Sequence, residues 1–268
     1  MASYLDDIVA WHRARAAEDR RDLDELATAA GEASRRDPPR PFLGALSRAG
    51  ETAVIAEVKR RSPSRGDLAP ALDPAGLAKS YEAGGAACLS VLTDGPHFSG
   101  SPEDLAAARA AVGLPVLRKD FTVQVADVYD ARLMGADAVL LIAAVLSDAE
   151  LEAFLAAASG LEMAALVEVH DEAEAARALS AGADLVGVNQ RDLRTFEVDT
   201  ARACRVAGAL EGVVRVAESG IRTPADVAEL ARAGYDAVLV GESLVRAPDP
   251  GGLLRALSDA GRGVLECG

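Results

Sequence analysis

Lysine is nearly missing from this chain. Among 28 lysines and arginines in 268 residues, only Lys59, Lys79 and Lys119 are lysine. Arginine does not give up its proton at ordinary pH, whereas lysine is a compact charge whose pKa responds to its surroundings. A lysine kept against so strong a bias is therefore a candidate for chemistry. Cysteine is equally scarce. Cys88, Cys204 and Cys267 are odd in number and far apart, which fits neither a disulfide framework nor a zinc-ligand spacing, and the expected compartment is the cytosol. Positive charge is short overall: the formal net charge is −14 and the isoelectric point about 4.7. That balance excludes nucleic acid as the main partner, because phosphate-backbone binding needs a basic face, and it excludes a polybasic membrane contact. Apolar runs such as Ala138 to Leu146 are far too short to span a bilayer. Met1 to Asp7 is acidic and lacks the basic-then-apolar order of a signal peptide.

What the chain has in quantity is a repeat. Short β-branched and leucine-rich runs recur at Ala53 to Lys59, Ala87 to Thr93, Leu114 to Lys119, Ala138 to Ala143, Ala164 to Val169, Leu185 to Asn189, Val213 to Ala217 and Ala237 to Val240. Alanine-rich stretches with helical periodicity lie between them, among them Glu103 to Ala111, Thr122 to Met134, Asp148 to Ala158, Asp171 to Ala181 and Pro224 to Ala233. Glycines in Glu82-Ala-Gly-Gly85, Met134-Gly-Ala-Asp137, Ser180-Ala-Gly-Ala-Asp184 and Arg232-Ala-Gly-Tyr-Asp236 predict left-handed helix caps leading into strands. Asp148 and Thr223-Pro224 read as helix starts. Apolar strands alternating with helices imply a parallel sheet covered by helices. Eight such units predict an α/β fold of the closed (β/α)8 TIM-barrel type. The rival is an open doubly wound sheet, and its dinucleotide version lacks the Gly-x-Gly-x-x-Gly fingerprint after the first strand. Residues 1–45 read as polar helices ending in the Asp37-Pro-Pro-Arg-Pro41 break. They are expected to form a helical extension over the barrel mouth, with residues 46–268 as the barrel and the whole as one domain.

A barrel of this type builds its active site at the C-terminal ends of its strands. Polar residues crowd where the apolar runs stop: Glu57-Val-Lys59, Arg118-Lys119-Asp120, Glu168-Val-His170, Asn189-Gln-Arg-Asp192, Glu218-Ser-Gly220 and Gly241-Glu-Ser243. Residues two apart on a strand face the same way, so Glu57 shares a face with Lys59 and Asn189 with Arg191. A structural ion pair would account for Glu57 and Lys59 alone. It does not account for five charged strand ends meeting at one mouth, because burying charge is costly unless the charges pair or serve a ligand. Lys79 lies in a helical stretch and reads as a solvated surface charge. Ser219-Gly220 and Gly241-Glu242 stand after strands 7 and 8, where barrels often hold phosphate on backbone N–H groups, with Lys59 as a counter-charge. Glu57, Glu168 and Glu218 are interleaved with lysines, and His12, His97 and His170 are scattered along the chain, so no metal centre is expected. A Schiff-base aldolase using Lys119 stays open on these residues alone.

Glu57-Val-Lys-Arg-Arg-Ser-Pro-Ser64 resembles the first-strand signature of the indole-3-glycerol phosphate synthase family. The resemblance continues through Leu92-Thr-Asp94, Phe98-Ser-Gly-Ser101, Pro115-Val-Leu-Arg-Lys-Asp-Phe121 and Leu166-Val-Glu-Val-His170. It goes on through Gly187-Val-Asn-Gln-Arg-Asp-Leu193 and Ala217-Glu-Ser-Gly-Ile221 to Val240-Gly-Glu-Ser-Leu-Val-Arg246. It implies a cofactor-free carboxy-lyase of tryptophan biosynthesis. That activity converts 1-(o-carboxyphenylamino)-1-deoxyribulose 5-phosphate, a small phosphosugar, into indole-3-glycerol phosphate with loss of CO₂ and water. By the same resemblance, Lys119 is the general acid at the ketone, Glu168 the general base of dehydration and Lys59 a substrate-binding cation and second acid. Glu57, Asn189 and Glu218 complete the polar set, supported by Arg191. Ser219, Gly220, Gly241 and Glu242 are implied to line the phosphate site, Ser62 to bind substrate, and Phe98, Phe121, Leu140 and Leu193 to hold the anthranilate ring. A monomer or weak homodimer is expected. The alternatives are a phosphosugar isomerase barrel such as phosphoribosylanthranilate isomerase, which usually carries a cysteine on the first strand, and a barrel that binds phosphate without catalysis. Cys88, early in strand 2, reads as a buried small apolar residue.

Overall fold

The computed structural model describes residues 4–47 and 51–263; Cys267 and the first three residues of the acidic N-terminus lie outside them. Eight parallel strands close on themselves: β1 (Ala53–Val58), β2 (Cys88–Leu92), β3 (Val116–Lys119), β4 (Ala138–Ile142), β5 (Ala164–Val169), β6 (Leu185–Asn189), β7 (Val214–Glu218) and β8 (Ala237–Val240). Each strand pairs with its sequence neighbours, and β1 pairs with both β2 and β8. The open-sheet rival is thereby excluded. The main helices on the outside are α4 (Pro74–Ala83), α6 (Pro102–Ala111), α7 (Val125–Leu133), α8 (Asp148–Gly160), α9 (Glu172–Ser180), α10 (Arg202–Val206), α11 (Pro224–Arg232) and α13 (Pro250–Gly263). Shorter helices α5 (Gly95–Phe98) and α12 (Glu242–Val245), and a two-stranded hairpin of Arg61–Ser62 with Gly66–Asp67, decorate the loops at the strand C-termini.

Strand alternation separates two cores. Val54, Ala56 and Val58 face outward into the layer beneath the helices, while Ile55 faces the barrel interior. The interior fills in layers from alternate strands, as barrels of this kind do. Cys88, Ala138, Leu185 and Ala237 from the even strands form the lowest layer, and Ile55, Leu117, Leu166 and Val216 from the odd strands lie above it. Leu140 and Leu239 belong to the next even layer, where parity also places Ser90 and Gly187. The odd layer above that contains Glu57, Lys119, Glu168 and Glu218 in place of apolar residues.

Helix ends show why the segments stop where they do. Gly85, Gly135, Gly182 and Gly234 all adopt positive φ in the four helix-to-strand turns. Thr223 caps α11, whereas the cap of α8 is Ser147, one residue before Asp148, because its hydroxyl and Glu150 form a reciprocal capping box. The helix expected from Thr122 begins only at Val125. The Asp127 carboxylate accepts the N–H groups of Val123 and Gln124 at 2.9 and 3.1 Å, which holds them in a loop. Strand β7 runs to Glu218 rather than ending at Ala217, bringing that carboxylate into the barrel wall.

The N-terminal segment runs from one end of the barrel to the other. Helix α1 (Tyr4–Glu18) lies against the mouth, where Leu5 and Ile8 pack in the interior cluster and Arg13 reaches the carbonyls of Val123 and Val145 at 2.5 and 3.3 Å. Helix α2 (Leu23–Arg36) follows the outside of α7. Prolines 38, 39 and 41 cannot donate backbone bonds, and they separate α2 from α3 (Phe42–Leu46), whose Phe42 and Leu46 join the interior cluster at the base. The anchor at the base is Asp137, which is fully buried. Its carboxylate accepts Arg40 N and Val116 N, each at 2.9 Å, and Arg109 Nη2 at 3.0 Å. Replacing Asp137 with alanine leaves buried N–H groups and arginines without their anion. An expected loss of about 3 kcal/mol of unfolding free energy is to be read from denaturant titration; a loss near zero would show that the anchor contributes nothing.

Candidate active site

The polar layer is held together by one ammonium. Lys119 Nζ donates to Glu168 Oε2 at 2.8 Å and lies 3.3 Å from Glu218 Oε2. Both glutamates are buried, at 1% and 2% side-chain exposure. Asn189 Nδ2 donates to the other Glu168 oxygen at 3.1 Å, and Arg191 N donates to Asn189 Oδ1 at 3.0 Å. Lys59 Nζ donates to Glu57 Oε1, on the face that strand parity assigns to both. Ser90 Oγ lies 3.5 Å from the second Glu57 oxygen.

Two absent side chains make room for this set. A Cβ on Gly187 would sit 2.2 Å from Glu218 Oε1, and one on Gly241 would sit 2.2 Å from Glu57 Oε1. Gly241 therefore clears space for the Glu57–Lys59 pair. Ser219 and Gly220 follow β7 with φ of 67° and 77°. A serine in the left-handed region is uncommon and costs energy, and such strain concentrates at functional sites.

Environment splits the titrations. Burial opposes the Lys119 charge, but Glu168, Glu218 and Glu57 outweigh it and hold the ammonium above its ordinary pKa. Burial also opposes the Glu168 carboxylate, yet Lys119, His170 and Asn189 bring its pKa below the usual value. Glu218 goes the other way, pushed up to about 7 by burial and by repulsion from Glu168 and Glu57, against the pull of Lys119. One glutamate is thus kept ionised while its neighbour titrates near neutrality, the division expected when two carboxylates share one cation. A lysine held in its charged form is a poor Schiff-base nucleophile, which argues against the aldolase alternative.

All sixteen residues singled out from the sequence for catalysis or binding line one cavity of about 260 Å³. Its polar floor is the layer just described. Phe98 and Phe121, with ring centroids 6.4 Å apart, stand on one side with Leu140 and Leu193. At the rim Glu242 gathers Arg65, Arg191 and Arg246 at 3.5, 3.8 and 3.7 Å. The Ser62 hydroxyl and Glu218 Oε1 are buried without a protein hydrogen-bond partner.

Sequence reading missed several lining residues. Asp94 follows β2 and is visible to the same strand-end rule that found the others, and Arg222 and Arg246 follow the glycine turns after β7 and β8. Phe196 sits in an irregular loop with φ of 62° and carries no local signal. Tyr4 packs edge-on against Phe196, while Trp11 packs on the rings of His12 and His97. The histidines are less scattered than their spacing implies. Helix α1 brings His12 Nε2 to within 2.9 Å of Asp94 Oδ2, and His97 Nδ1 reaches the same oxygen at 3.0 Å. Among the described residues these three have metal-ligand spacing, but the hydrogen bonds to the shared carboxylate already account for the cluster. Cys88 is buried, with Sγ facing the Phe42 carbonyl at the barrel base, at the opposite end from this cavity.

The profile of the indole-3-glycerol phosphate synthase family matches residues 5–257. The indole-3-glycerol phosphate synthase of an Azoarcus species is 54% identical over 239 residues, covering 87% of this chain and 90% of that protein. That of Beutenbergia cavernae is 52% identical over 258 residues, covering 96% and 95%. The chain belongs to the indole-3-glycerol phosphate synthase family. Solved structures extend the likeness of fold alone: 3-hexulose-6-phosphate synthase superposes with a TM-score of 0.64 at 16% identity, covering 78% of this chain and 99% of the other. Thiamine phosphate pyrophosphorylase from Pyrococcus furiosus superposes at 0.61 with 17% identity, covering 81% and 98%. The family is one of enzymes, and no helix among the described residues is long and apolar enough to cross a membrane.

The Glu218 environment has a measurable consequence. Its folded pKa, about 7, lies above the ordinary 4.5. The folded state therefore holds a proton that the unfolded state has released. The associated stabilisation is complete below about 4.5 and is lost as pH rises through about 7. Unfolding free energy of the native protein is expected to drop between pH 5 and pH 8 by about 1 to 3 kcal/mol more than that of Glu218→Gln. Parallel pH dependence in the two proteins would contradict this assignment.

Proposed function

We propose that this chain closes the indole ring of indole-3-glycerol phosphate, with Lys119 as the acid at the substrate ketone and Glu168 as the base of the dehydration. The observation that carries the reading is the 2.8 Å contact between the Lys119 ammonium and the Glu168 carboxylate at the closed floor of the mouth. Acid and base stand within reach of one substrate, each in the protonation state its step requires.

The reaction sets the proton count. The ring carbon bearing the carboxylate attacks the ketone, and the ketone oxygen takes a proton to become a hydroxyl. Loss of CO₂ restores the aromatic ring. The hydroxyl then leaves as water with a second proton, and one proton is lost from the adjoining ring methylene. Two protons enter and one leaves, so each turnover consumes one. Lys119 supplies the first and Glu168 receives the one released. Their direct contact lets Glu168 return that proton to Lys119, which resets both groups without solvent. The net proton enters through Lys59, whose side chain is 17% exposed and stands on the opposite side of the floor, paired with Glu57.

The remaining residues place the substrate. Phe98, Phe121, Leu140 and Leu193 offer an apolar slot for the aromatic ring. Ser219, Gly220, Gly241 and the unpartnered Ser62 hydroxyl lie on the side suited to phosphate. Phosphate there competes with Glu242 for Arg191 and its neighbouring guanidiniums. Asn189 fixes Glu168 against rotation.

Purified protein is expected to generate indole absorbance and fluorescence from 1-(o-carboxyphenylamino)-1-deoxyribulose 5-phosphate in the presence of a chelator. Lys119→Ala and Glu168→Gln are each expected to lower kcat about 10²–10⁴-fold while thermal unfolding stays cooperative. Near-native turnover in either variant would remove its assigned role. No product from folded native protein would favour a barrel that binds phosphate without catalysis.

A further inference from the structure

His170 has no place in this account, yet it stands directly behind the proposed base. It follows β5 and shares the Glu168 face by parity. Its ring is held from one side only. Nδ1 lies 3.1 Å from Glu174 Oε2 on α9, and the His170 backbone N–H donates to the same oxygen at 2.8 Å. Glu174 is itself fixed, because its N–H donates to the N-cap carboxylate of Asp171 at 2.8 Å. The other ring nitrogen, Nε2, is buried, has no hydrogen-bond partner and lies 3.8 Å from Glu168 Oε1.

We infer that His170 is a positioning residue that acts through Glu168: tied to Glu174 by Nδ1, it presents Nε2 to the Glu168 carboxylate and sets how readily that carboxylate takes a proton from substrate. The inference rests on Glu168 being the base. The acceptor on Glu174 makes Nδ1 the protonated nitrogen of the neutral ring. Nε2 then carries a lone pair, and the ring does not weaken Glu168 as a base. When the ring gains a second proton, a positive N–H faces Oε1 and the carboxylate becomes a weaker base. Loss of rate on the acid side thus follows the histidine rather than Glu168 itself.

The surroundings favour the charged ring. Burial opposes the charged ring, while Glu174 and Glu168 favour it more strongly, so its pKa stands above the ordinary 6.5. Arg202, from α10, works against the charge. Asp192, in the loop after β6, adds a further carboxylate whose own pKa is lowered in part by His170. Asp171 and Arg205 line the polar cavity on the outer side of the ring, which gives solvent protons access to Nδ1 and Glu174.

The test separates positioning from mere packing. His170→Asn retains a donor near the Nδ1 position for Glu174 and removes the group that faces Glu168. The acid limb of its kcat–pH profile is expected to move at least one pH unit lower. Glu174→Gln, which keeps the ring and removes its anion, is expected to shift the limb part of the way in the same direction. Imidazole nitrogen NMR gives a readout independent of turnover: the chain has three histidines, and Glu168→Gln is expected to lower the His170 pKa, as reciprocal coupling requires. A limb unchanged in His170→Asn, as titration of the substrate phosphate would produce, overturns the inference. So does a His170 pKa indifferent to Glu168→Gln. High turnover by Glu168→Gln would instead overturn the base assignment on which the inference rests.

Discussion

The Lys119 ammonium is the charge around which the mouth is built. Three carboxylates, on Glu57, Glu168 and Glu218, crowd the same layer of the barrel interior, and the Lys119 ammonium is the buried cation that holds Glu168 in its ionised form. The four residues come from β1, β3, β5 and β7, the odd strands that supply one layer of such a barrel. They occupy the level where another apolar layer would complete the packing. The even layer beneath yields to them: Ser90 faces Glu57, and Gly187 leaves the volume that Glu218 fills. The polar layer is a change of residue type within a regular packing scheme, and the closed barrel provides the rigidity that holds a lysine against two glutamates.

Charge is distributed to the same end. A chain of formal charge −14 would repel an anionic substrate unless its entrance carried local positive charge. The mouth supplies it in Lys59 and Lys119 on the floor and in Arg65, Arg191, Arg222 and Arg246 on one rim. Glu242 ties three of these arginines together. That arrangement keeps the guanidiniums grouped without letting them repel one another apart, and it leaves them available to a stronger, doubly charged competitor.

The barrel was legible because its signals are local and repeated. Three strands match their apolar runs residue for residue, and the glycines predicted to cap helices adopt the left-handed conformation. The polar strand ends were legible for the same reason, since parity decides what faces inward. What escaped depends on distance in sequence. His12 meets Asp94 only because α1 folds back over the mouth, and no spacing rule reports that contact. Phe196 enters the cavity through an irregular loop. The space-making role of Gly241 depends on Glu57, which is remote along the chain and adjacent only once β8 pairs with β1. His170 was visible at a strand end, but its two-sided relation to Glu174 and Glu168 needs the helix that follows.

The rarity of lysine takes on meaning within this geometry. If positive charge alone were needed on the floor of the mouth, arginine would serve, and this chain uses arginine almost everywhere else. Arginine can pair with Glu168 and Glu218 and satisfy them more fully, with several donors in a rigid fork. It cannot lend a proton to a ketone and recover it from a neighbouring carboxylic acid within a turnover. Two of the chain's three lysines lie on the floor of one cavity, each donating to a glutamate, while Lys79 lies exposed on α4. Electrostatic pairing explains why a cation is there. The proton transfer proposed for Lys119 and Lys59 would explain why, at both positions, the cation is lysine.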